Sequence, residues 1–293
     1  MVLGEDTLAI IGCGTMGEAI VGGLLRKGLV EPTQIVASHP RAERRQLLAG
    51  RYGIHTTPSN GDAAREASLV ILTIKPQFLI EVAADLRGRL RRESLVVTIA
   101  AGVTMTQVRS RLGTEAIVRV MPNTPAQIGR GISVWTASDS VDEAGRERVR
   151  AILSALGGEE FVTHEGELDM ATALSGTGPA YVFLFMEALV DAGVHLGFSR
   201  RMATRLVYET VRGSVEFAAA SVEHPAQLRN QVTSPGGTSA EAQYQLERGR
   251  MRTVLSDAVW AAYRRCVQLG EMVAPDHNGR PLDGEGDGGL AGG

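Results

Sequence analysis

The chain has 293 residues, of which 44% are hydrophobic and 22% charged, and its formal net charge is −3 at pH 7. This length suits two domains with ordinary cores, and without a basic excess we expect no nucleic-acid partner. The two cysteines, Cys13 and Cys266, are too few for a disulfide framework or a metal cluster, so we expect no metal site. No apolar run approaches about 18 residues and no signal-peptide pattern is present, so we expect a cytoplasmic protein without a membrane segment.

Short apolar runs alternate with amphipathic helical stretches over residues 1–164. The runs are continuously apolar, as in strands that are covered on both faces. Their alternation with helices predicts right-handed crossovers and an α/β domain with a mostly parallel, doubly wound sheet. The predicted strands are 7–11, 34–37, 69–74, 95–100, 116–121, 132–136 and 160–163, and the helices between them include 16–27, 41–50 and 142–156.

Strand signals stop after residue 164, and long helical patterns predict an all-α domain over 165–274. The segment 179–196 is apolar almost all round, so it must be buried on every side. A second subunit would bury it most easily, and we therefore expect an obligate homodimer. Ser199 should cap the next helix, which runs to about residue 220, and further helices are predicted at 240–248 and 250–269. Residues 275–293 are rich in Gly and Asp and are expected to form a disordered tail.

Gly12, Gly14 and Gly17 form a G-x-G-x-x-G sequence between a predicted strand and a predicted helix. This context is typical of a dinucleotide-binding Rossmann domain. The first glycine permits a tight turn, the second lets the backbone approach a pyrophosphate, and the third allows the helix to pack closely on the strand. Backbone amides at the helix start, including those of Thr15 and Met16, would then stabilise the anion. The alternative is a glycine turn that binds no ligand.

Ser38 lies near the end of the second strand, where NAD-preferring sites place Asp or Glu. It is followed by His39, Arg41, Arg44 and Arg45. A hydroxyl with nearby guanidinium groups would accept a 2′-phosphate, and no carboxylate repels it, so we expect NADPH to be preferred and NADH to be possible. The alternative is that the arginines only cover a solvated helix.

Three further loops follow predicted strands at their carboxyl ends, the edge of an α/β sheet where ligands bind. One side chain, Lys75, would project over the crevice, and small residues after the next strand would leave room for a nicotinamide. Asn123 would offer a donor and an acceptor near that ring. The candidate cofactor-binding residues in these loops are Thr73, Lys75, Pro76, Ala100, Ala101 and Asn123.

Two segments of the helical half, 173–181 and 232–239, contain unusual turn residues. In the first segment, Thr177 is a candidate cap for the apolar helix. In the second, backbone amides and the hydroxyls of Thr238 and Ser239 converge at a helix N-terminus, which suits a carboxylate. The alternative is that Thr238 or Ser239 only caps the helix.

These two segments, the glycine loop and the sequences at 74–76 and 121–125 together resemble the Δ1-pyrroline-5-carboxylate reductase family over about residues 7–270. The resemblance implies a Rossmann domain followed by a helical dimerisation domain. It also implies reduction of Δ1-pyrroline-5-carboxylate to L-proline by NAD(P)H, the last step of proline biosynthesis. Family members form homodimers, often assembled into a larger ring. Their active site combines the dinucleotide face of one subunit with the Pro-Gly-Gly loop of its neighbour.

The resemblance also assigns roles to individual residues. It assigns Ser38, Asn60, Lys75 and the loop glycines to cofactor binding, with Gln231 contacting the cofactor from the partner subunit. It assigns Thr238 and Ser239 to binding of the substrate carboxylate, and it places Glu165 at the pocket rim near the ring nitrogen.

Thr238 and Ser239 are therefore the candidate catalytic residues. We further predict that the amides of 237–239, beginning at Gly237, hold the substrate carboxylate and that the Ser239 hydroxyl bonds the ring nitrogen. Ser239 departs from the threonine that is common in the family and lacks its stiffening methyl group.

Two other functions share this scaffold. A β-hydroxyacid dehydrogenase relative would use a lysine of the helical domain as its acid–base group, but no lysine follows Lys75 in this chain. A non-catalytic NADP-binding regulator would not require an intact Pro-Gly-Gly loop, whereas Pro235, Gly236 and Gly237 retain it.

Overall fold

The computed structural model describes residues 2–273 of the chain, so the predicted tail at 275–293 lies outside the described residues. The described chain divides into two compact units. The first contains the chain up to Gly176 together with the last helix from Ala262, and the second is Thr177–Ala261.

The first unit is built on one sheet. Within residues 2–273 its eight strands are β1 (Leu8–Ile11), β2 (Ile35–Ser38), β3 (His55–Thr57), β4 (Leu69–Leu72), β5 (Leu95–Thr98), β6 (Ile117–Met121), β7 (Gly131–Ala137) and β8 (Gly157–Phe161). Their order in space is β3-β2-β1-β4-β5-β6-β7-β8. The first six are parallel, β7 runs antiparallel to β6, and β8 is parallel to β7. This mostly parallel, Rossmann-like sheet confirms the predicted fold class, although β3 has no apolar run and is not predicted.

Helices cover both faces of this sheet. They are α1 (Thr15–Arg26), α2 (Ala42–Tyr52), α3 (Asn60–Ala64), α4 (Leu79–Leu86), α5 (Met105–Leu112), α6 (Glu143–Ser154) and α7 (Glu167–Ala171), which a π-helical turn, Thr172–Gly176, continues. Strand β1 shows why the strands are continuously apolar. Its Leu8 and Ile10 join one buried cluster, whereas Ala9 and Ile11 join the other on the opposite face.

The strand order creates a crevice beside β1. The chain moves outward from β1 to β2 and β3, then returns to place β4 on the other side of β1. In open α/β sheets a ligand binds where the strand order changes direction in this way, at the carboxyl ends of the strands. The glycine loop follows β1, and residues 73–76 follow β4, so both lie at this edge.

The second unit is helical. It contains α8 (Gly178–His195), α9 (Arg200–Ala220), α10 (Pro225–Gln231), α11 (Thr238–Arg248) and the start of α12 (Met251–Glu271). The Ser199 hydroxyl accepts the Met202 N–H at 3.3 Å, which confirms the predicted cap of α9. Thr177 precedes α8 but makes no capping hydrogen bond through its side chain, so that expectation is wrong.

Helix α8 exposes much of its apolar surface within the single chain. Phe183 and Leu184 are 60% and 67% exposed, and the helix buries only Val190 among the described residues. Burial on all sides therefore requires something beyond one chain. By length and composition alone, the helical stretch Glu167–His195 could cross a membrane, with a window of mean hydropathy 1.3. This finding corrects the expectation that no run is long enough.

Candidate active site

The three glycines of the loop after β1 have different structural roles. Gly12 has a φ of +72°, and a Cβ atom there would lie 2.5 Å from Cγ2 of Ile74. A Cβ atom on Gly17 would lie 2.7 Å from Oγ1 of Thr73, so this glycine allows α1 to pack on the sheet. A Cβ atom on Gly14 would lie no closer than 3.7 Å to a described atom outside the adjacent residues, which leaves space on this side of the loop for a phosphate. This arrangement fits a bound dinucleotide.

The end of β4 is tied to the same loop. Oγ1 of Thr73 lies 3.0 Å from the carbonyl oxygen of Ile11 and 3.1 Å from that of Gly12. Pro76 starts a 3₁₀ turn, Pro76–Phe78, that carries the chain away from the strand. Thr73 and Pro76 therefore shape the crevice, while Lys75 is exposed beside it.

Ser38 is fully buried at the end of β2. Its hydroxyl donates to Oδ1 of Asn60 at 2.7 Å and accepts the Gly12 N–H at 3.3 Å. Its carbonyl oxygen accepts the Cys13 N–H at 2.9 Å. The side chain thus holds the glycine loop and Asn60 in place. A fully buried hydroxyl with both bonds made inside the protein is not presented to a 2′-phosphate.

The three arginines that follow β2 point to different partners. The Arg44 side chain bonds the carbonyl oxygens of the glycine loop and the carboxylate of Glu18. One guanidinium nitrogen of Arg45 donates to the carbonyl oxygens of His39 and Pro40, both at 2.8 Å. Arg41 is exposed and makes no side-chain hydrogen bond or ion pair with a described residue. Of the three, only Arg41 has a whole guanidinium group without a described partner.

A cavity of about 600 Å³ lies beside these groups, and Gly12, Arg41, Asn60 and Lys75 are among its lining residues. Burial, followed by the charges of neighbouring arginines, lowers the pKa of His39, which also lines it. A larger cavity of about 870 Å³ lies before β5 and β6, at the opposite edge of the sheet, and includes none of the candidate residues.

The loops after β5 and β6 are held by the protein itself. Oδ1 of Asn123 accepts the Ile132 N–H at 2.9 Å, and its Nδ2 donates to the Ser175 carbonyl oxygen at 3.2 Å. Asn123 therefore joins the β6–β7 loop to the π-helical turn. Ala100 is buried and Ala101 is half-buried at the end of β5.

Glu165 belongs to a charge cluster around the buried Arg119, and the sequence analysis did not predict this cluster. Its Oε1 accepts the Met105 N–H at 2.7 Å and a hydrogen bond from Arg119 at 3.2 Å. Arg119 is only 2% exposed, in the middle of β6, and also pairs with Asp169. Asp169 in turn accepts the thiol of Cys266 at 3.3 Å. The only sequence signal for this cluster is an arginine in an otherwise apolar strand.

In the second unit, the N-terminus of α11 is uncapped. Gly237 is the N-cap residue and supplies no side-chain hydrogen bond. The hydroxyls and amide N–H groups of Thr238 and Ser239 make no hydrogen bond to a described residue, so neither side chain caps the helix. Oγ1 of Thr233 bonds both the Arg229 carbonyl oxygen and Gln243, which fixes the loop before α11.

Gln231 ends α10 and lies outside this local arrangement. Its side-chain amide is exposed and donates to Glu223 within the same unit. In the single chain the Gln231 amide therefore bonds its own helical unit and would have to leave Glu223 to contact a cofactor in another subunit.

Comparison with known proteins adds sequence evidence to this geometry. Residues 165–269 match the family model for pyrroline-5-carboxylate reductase dimerisation, and residues 7–102 match the model described as NADP oxidoreductase, coenzyme F420-dependent. A pyrroline-5-carboxylate reductase of Synechocystis is 40% identical, with 90% of this chain and 98% of that protein covered. One of Pseudomonas aeruginosa is 39% identical, with 91% and 97% covered. The chain belongs to the pyrroline-5-carboxylate reductase family.

Solved structures of the pyrroline-5-carboxylate reductase family share the fold. The Plasmodium falciparum enzyme with NADP bound is similar with a TM-score of 0.84 and 30% identity, and 91% of this chain and 98% of that chain are covered. The Streptococcus pyogenes enzyme gives a TM-score of 0.83 and 30% identity, with 90% and 98% covered. These findings confirm the predicted family and a nicotinamide-dependent oxidoreductase. The apolar stretch Glu167–His195 lies inside the matched dimerisation region, so the family favours a second subunit to cover it.

Proposed function

We propose that this protein reduces Δ1-pyrroline-5-carboxylate to L-proline, the last step of proline biosynthesis, and that it prefers NADPH to NADH. The observation that carries the proposal is the uncapped start of α11 in a chain of this family. Thr238 and Ser239 offer two backbone amides and two hydroxyls there, and none of these groups has a described partner. Helix N-termini of this kind bind anions through free N–H groups and the helix dipole.

The substrate is a carboxylate attached to a cyclic imine. In our proposal the amides of Thr238 and Ser239 hold the carboxylate, and the Ser239 hydroxyl bonds the ring nitrogen. The N–H of Gly237 is bonded to the Ser234 carbonyl oxygen at 3.0 Å, so Gly237 contributes shape rather than a donor. Oε2 of Glu165 bonds no described residue, and we assign it to the pocket rim, where its negative charge would stabilise the cationic ring of a substrate held by α11 of the partner subunit.

The dinucleotide supplies the hydride that the reaction requires. The residues that would hold it are Gly12, Gly14, Thr15, Met16, Gly17, Asn60, Lys75, Ala100, Ala101 and, from the partner subunit, Gln231. Ser38, Thr73, Pro76 and Asn123 would support it indirectly, since their polar groups or ring shape the loops. NADPH is favoured because β2 ends without a carboxylate and Arg41 is unpaired beside the cavity.

The chemistry asks little acid–base work of the protein. A ring nitrogen that is already protonated makes the C=N carbon electrophilic, so the side chains mainly orient the substrate and exclude water.

We also propose that the protein is a cytoplasmic homodimer. Light scattering of the purified protein would distinguish the dimer from a larger ring.

The test is oxidation of NADPH, followed at 340 nm, on addition of racemic Δ1-pyrroline-5-carboxylate, with NADH in parallel. We expect oxidation of both dinucleotides and a higher kcat/KM with NADPH. Failure of the wild-type protein to oxidise either one would refute the reductase and favour a non-catalytic regulator.

Ser239→Ala tests the substrate site. We expect kcat/KM to fall on the order of tenfold, whereas Ser239→Thr should keep the activity because it keeps the hydroxyl. Ser110→Ala is the matched control, since the Ser110 hydroxyl is exposed and bonds only the Gln107 carbonyl oxygen within α5. A change below about threefold in Ser239→Ala would show that the hydroxyl has no such role.

A further inference from the structure

Arg44 lies against the glycine loop, and two of its three guanidinium nitrogens bond groups of the protein. Its Nε donates to the carbonyl oxygen of Cys13 at 3.2 Å, and its Nη2 donates to that of Gly14 at 2.9 Å. The same Nη2 lies 2.6 Å from a carboxylate oxygen of Glu18, in the first turn of α1. The side chain is 18% exposed.

These contacts help to fix the direction of the loop amides. The Glu18 N–H also bonds the Gly14 carbonyl oxygen, at 2.9 Å, and the Gly14 N–H is bonded to the Gly12 carbonyl oxygen, at 2.6 Å. A peptide unit is planar, and its N–H and C=O groups point in opposite directions. When Arg44 holds the Gly14 carbonyl oxygen, the N–H of Thr15 in the same peptide unit is turned to the other side. That N–H has no described partner. The contacts also keep two partially negative carbonyl oxygens away from the phosphate side of the loop.

Arg44 also neutralises a charge that would oppose an anion. Glu18 lies near the N-terminus of α1, where its carboxylate would compete with a pyrophosphate for the helix dipole. Arg44 and Arg51 both pair with it, at 2.6 and 2.7 Å. Arg51 makes no described hydrogen bond to the glycine loop and is 61% exposed, against 18% for Arg44, so it shares the ion pair with Glu18 but not the hold on the loop carbonyls.

We propose that Arg44 is a positioning residue for the pyrophosphate of the dinucleotide and that Arg41 separately reads the 2′-phosphate. The sequence groups the arginines after β2 as one phosphate site, whereas their contacts divide them between two tasks. The inference rests on the proposed use of a dinucleotide. It further states that Arg44 governs the affinity for both dinucleotides, whereas Arg41 governs the choice between NADPH and NADH.

The experiment measures the Kd of the full-length protein for NADPH, NADH and 2′-AMP by titration calorimetry. Loss of the loop contacts in Arg44→Met should weaken NADPH and NADH by the same factor, on the order of tenfold. It should leave 2′-AMP, which has no pyrophosphate, within about twofold. Arg41→Met should weaken NADPH and 2′-AMP and leave NADH unchanged. Arg51→Met, the control for Glu18, should leave all three within about twofold.

The results distinguish positioning of the pyrophosphate from recognition of the 2′-phosphate. If Arg44→Met weakens NADPH and 2′-AMP but not NADH, Arg44 turns to the 2′-phosphate and the proposal is wrong. If Arg51→Met matches Arg44→Met, the charge of Glu18 explains the effect and the loop contacts do not. Should Arg44→Met fail to fold, Arg44→Lys keeps the positive charge without the two-carbonyl fork, and unchanged NADH binding there would overturn the proposal. A wild-type protein that binds no dinucleotide refutes the proposed function instead.

Discussion

Gly102 offers a test of how the loop after β5, which we propose faces the cofactor, is held. It lies in the turn after β5 with a φ of +75°, and a Cβ atom there would lie 2.3 Å from the Cys266 carbonyl oxygen and 2.8 Å from the Gly270 nitrogen. Both atoms belong to the backbone of α12, so neither can rotate away. We expect Gly102→Ala to separate this turn from the end of α12.

The expected loss of unfolding free energy in Gly102→Ala has two parts. The left-handed backbone conformation costs a non-glycine residue about 1–2 kcal/mol. Forcing a methyl group into a packed site costs about 1–3 kcal/mol more. Gly88→Ala is the matched control, because Gly88 has a φ of +73° and no described atom within 4 Å of the added Cβ. The control should lose only the first part, so the difference between the variants isolates the contact with α12.

Urea unfolding followed by circular dichroism measures both variants, at one fixed protomer concentration because the proposed dimerisation would contribute to stability. We expect Gly102→Ala to lose about 3–4 kcal/mol of unfolding free energy and Gly88→Ala about half of that or less. Equal losses in the two variants would refute the reasoning. Weaker dinucleotide binding by Gly102→Ala alone would connect the α12 contact to the loop that faces the cofactor.

Three shorter predictions concern buried groups. Arg119→Met should cost about 3 kcal/mol of unfolding free energy, because it leaves two partly buried carboxylates unpaired; a loss below about 1 kcal/mol would contradict this. Burial raises the pKa of Glu18, but three hydrogen bonds outweigh it and hold that pKa below its usual value of 4.5. Its stabilising contribution is therefore complete above pH 4.5 and is lost as the pH falls through the lowered pKa. A pH series of unfolding curves should show a flatter acid limb for Glu18→Gln, and an unchanged one would argue against it. Burial raises the pKa of Cys13 to about 12 and that of Cys266 to about 11, so neither thiol should react with iodoacetamide at pH 8 before unfolding, as mass spectrometry would show.

The glycine loop was predictable because its requirements are local. A strand, a tight turn and a helix start follow one another in sequence, and the spacing of the glycines marks that turn. The atoms that would meet a side chain at Gly12 and Gly17 belong to Ile74 and Thr73, and the sequence does not show that contact. The same holds for Ser199, which caps a helix that begins one residue later. By contrast, β3 forms only by pairing with β2, and its sequence His-Thr-Thr carries no apolar pattern.

At the proposed cofactor site, the sequence did not predict the direction in which side chains point. The sequence placed Ser38 and the arginines at the right strand end, but it could not show that the hydroxyl faces inward to Gly12 and Asn60. That direction depends on how β2 pairs with its neighbours and on where α3 begins. The roles of Arg119 and Glu165 are similarly hidden, since 46 residues separate them and only the folded chain brings them to 3.2 Å.

Gly237 suggests that α11 gives up stability in order to bind a ligand. Its φ of −81° is open to any residue, and Asp at an N-cap would accept a free N–H of the first turn. Adding that cap, a negative charge at the helix start and a stiffer unfolded chain should stabilise the protein by about 1 kcal/mol. The new Cβ atom would lie 2.4 Å from Oγ of Ser234, which is exposed and can rotate, and 3.2 Å from the Ser234 carbonyl oxygen, which would have to shift slightly. If the amides of α11 hold the substrate carboxylate, Gly237→Asp should raise Tm and lower kcat/KM on the order of a hundredfold, because it occupies and repels that site. Gly237→Ala adds the Cβ atom without the cap or the charge, and it should change both quantities much less. A Gly237→Asp protein that is both more stable and fully active would place the substrate carboxylate elsewhere.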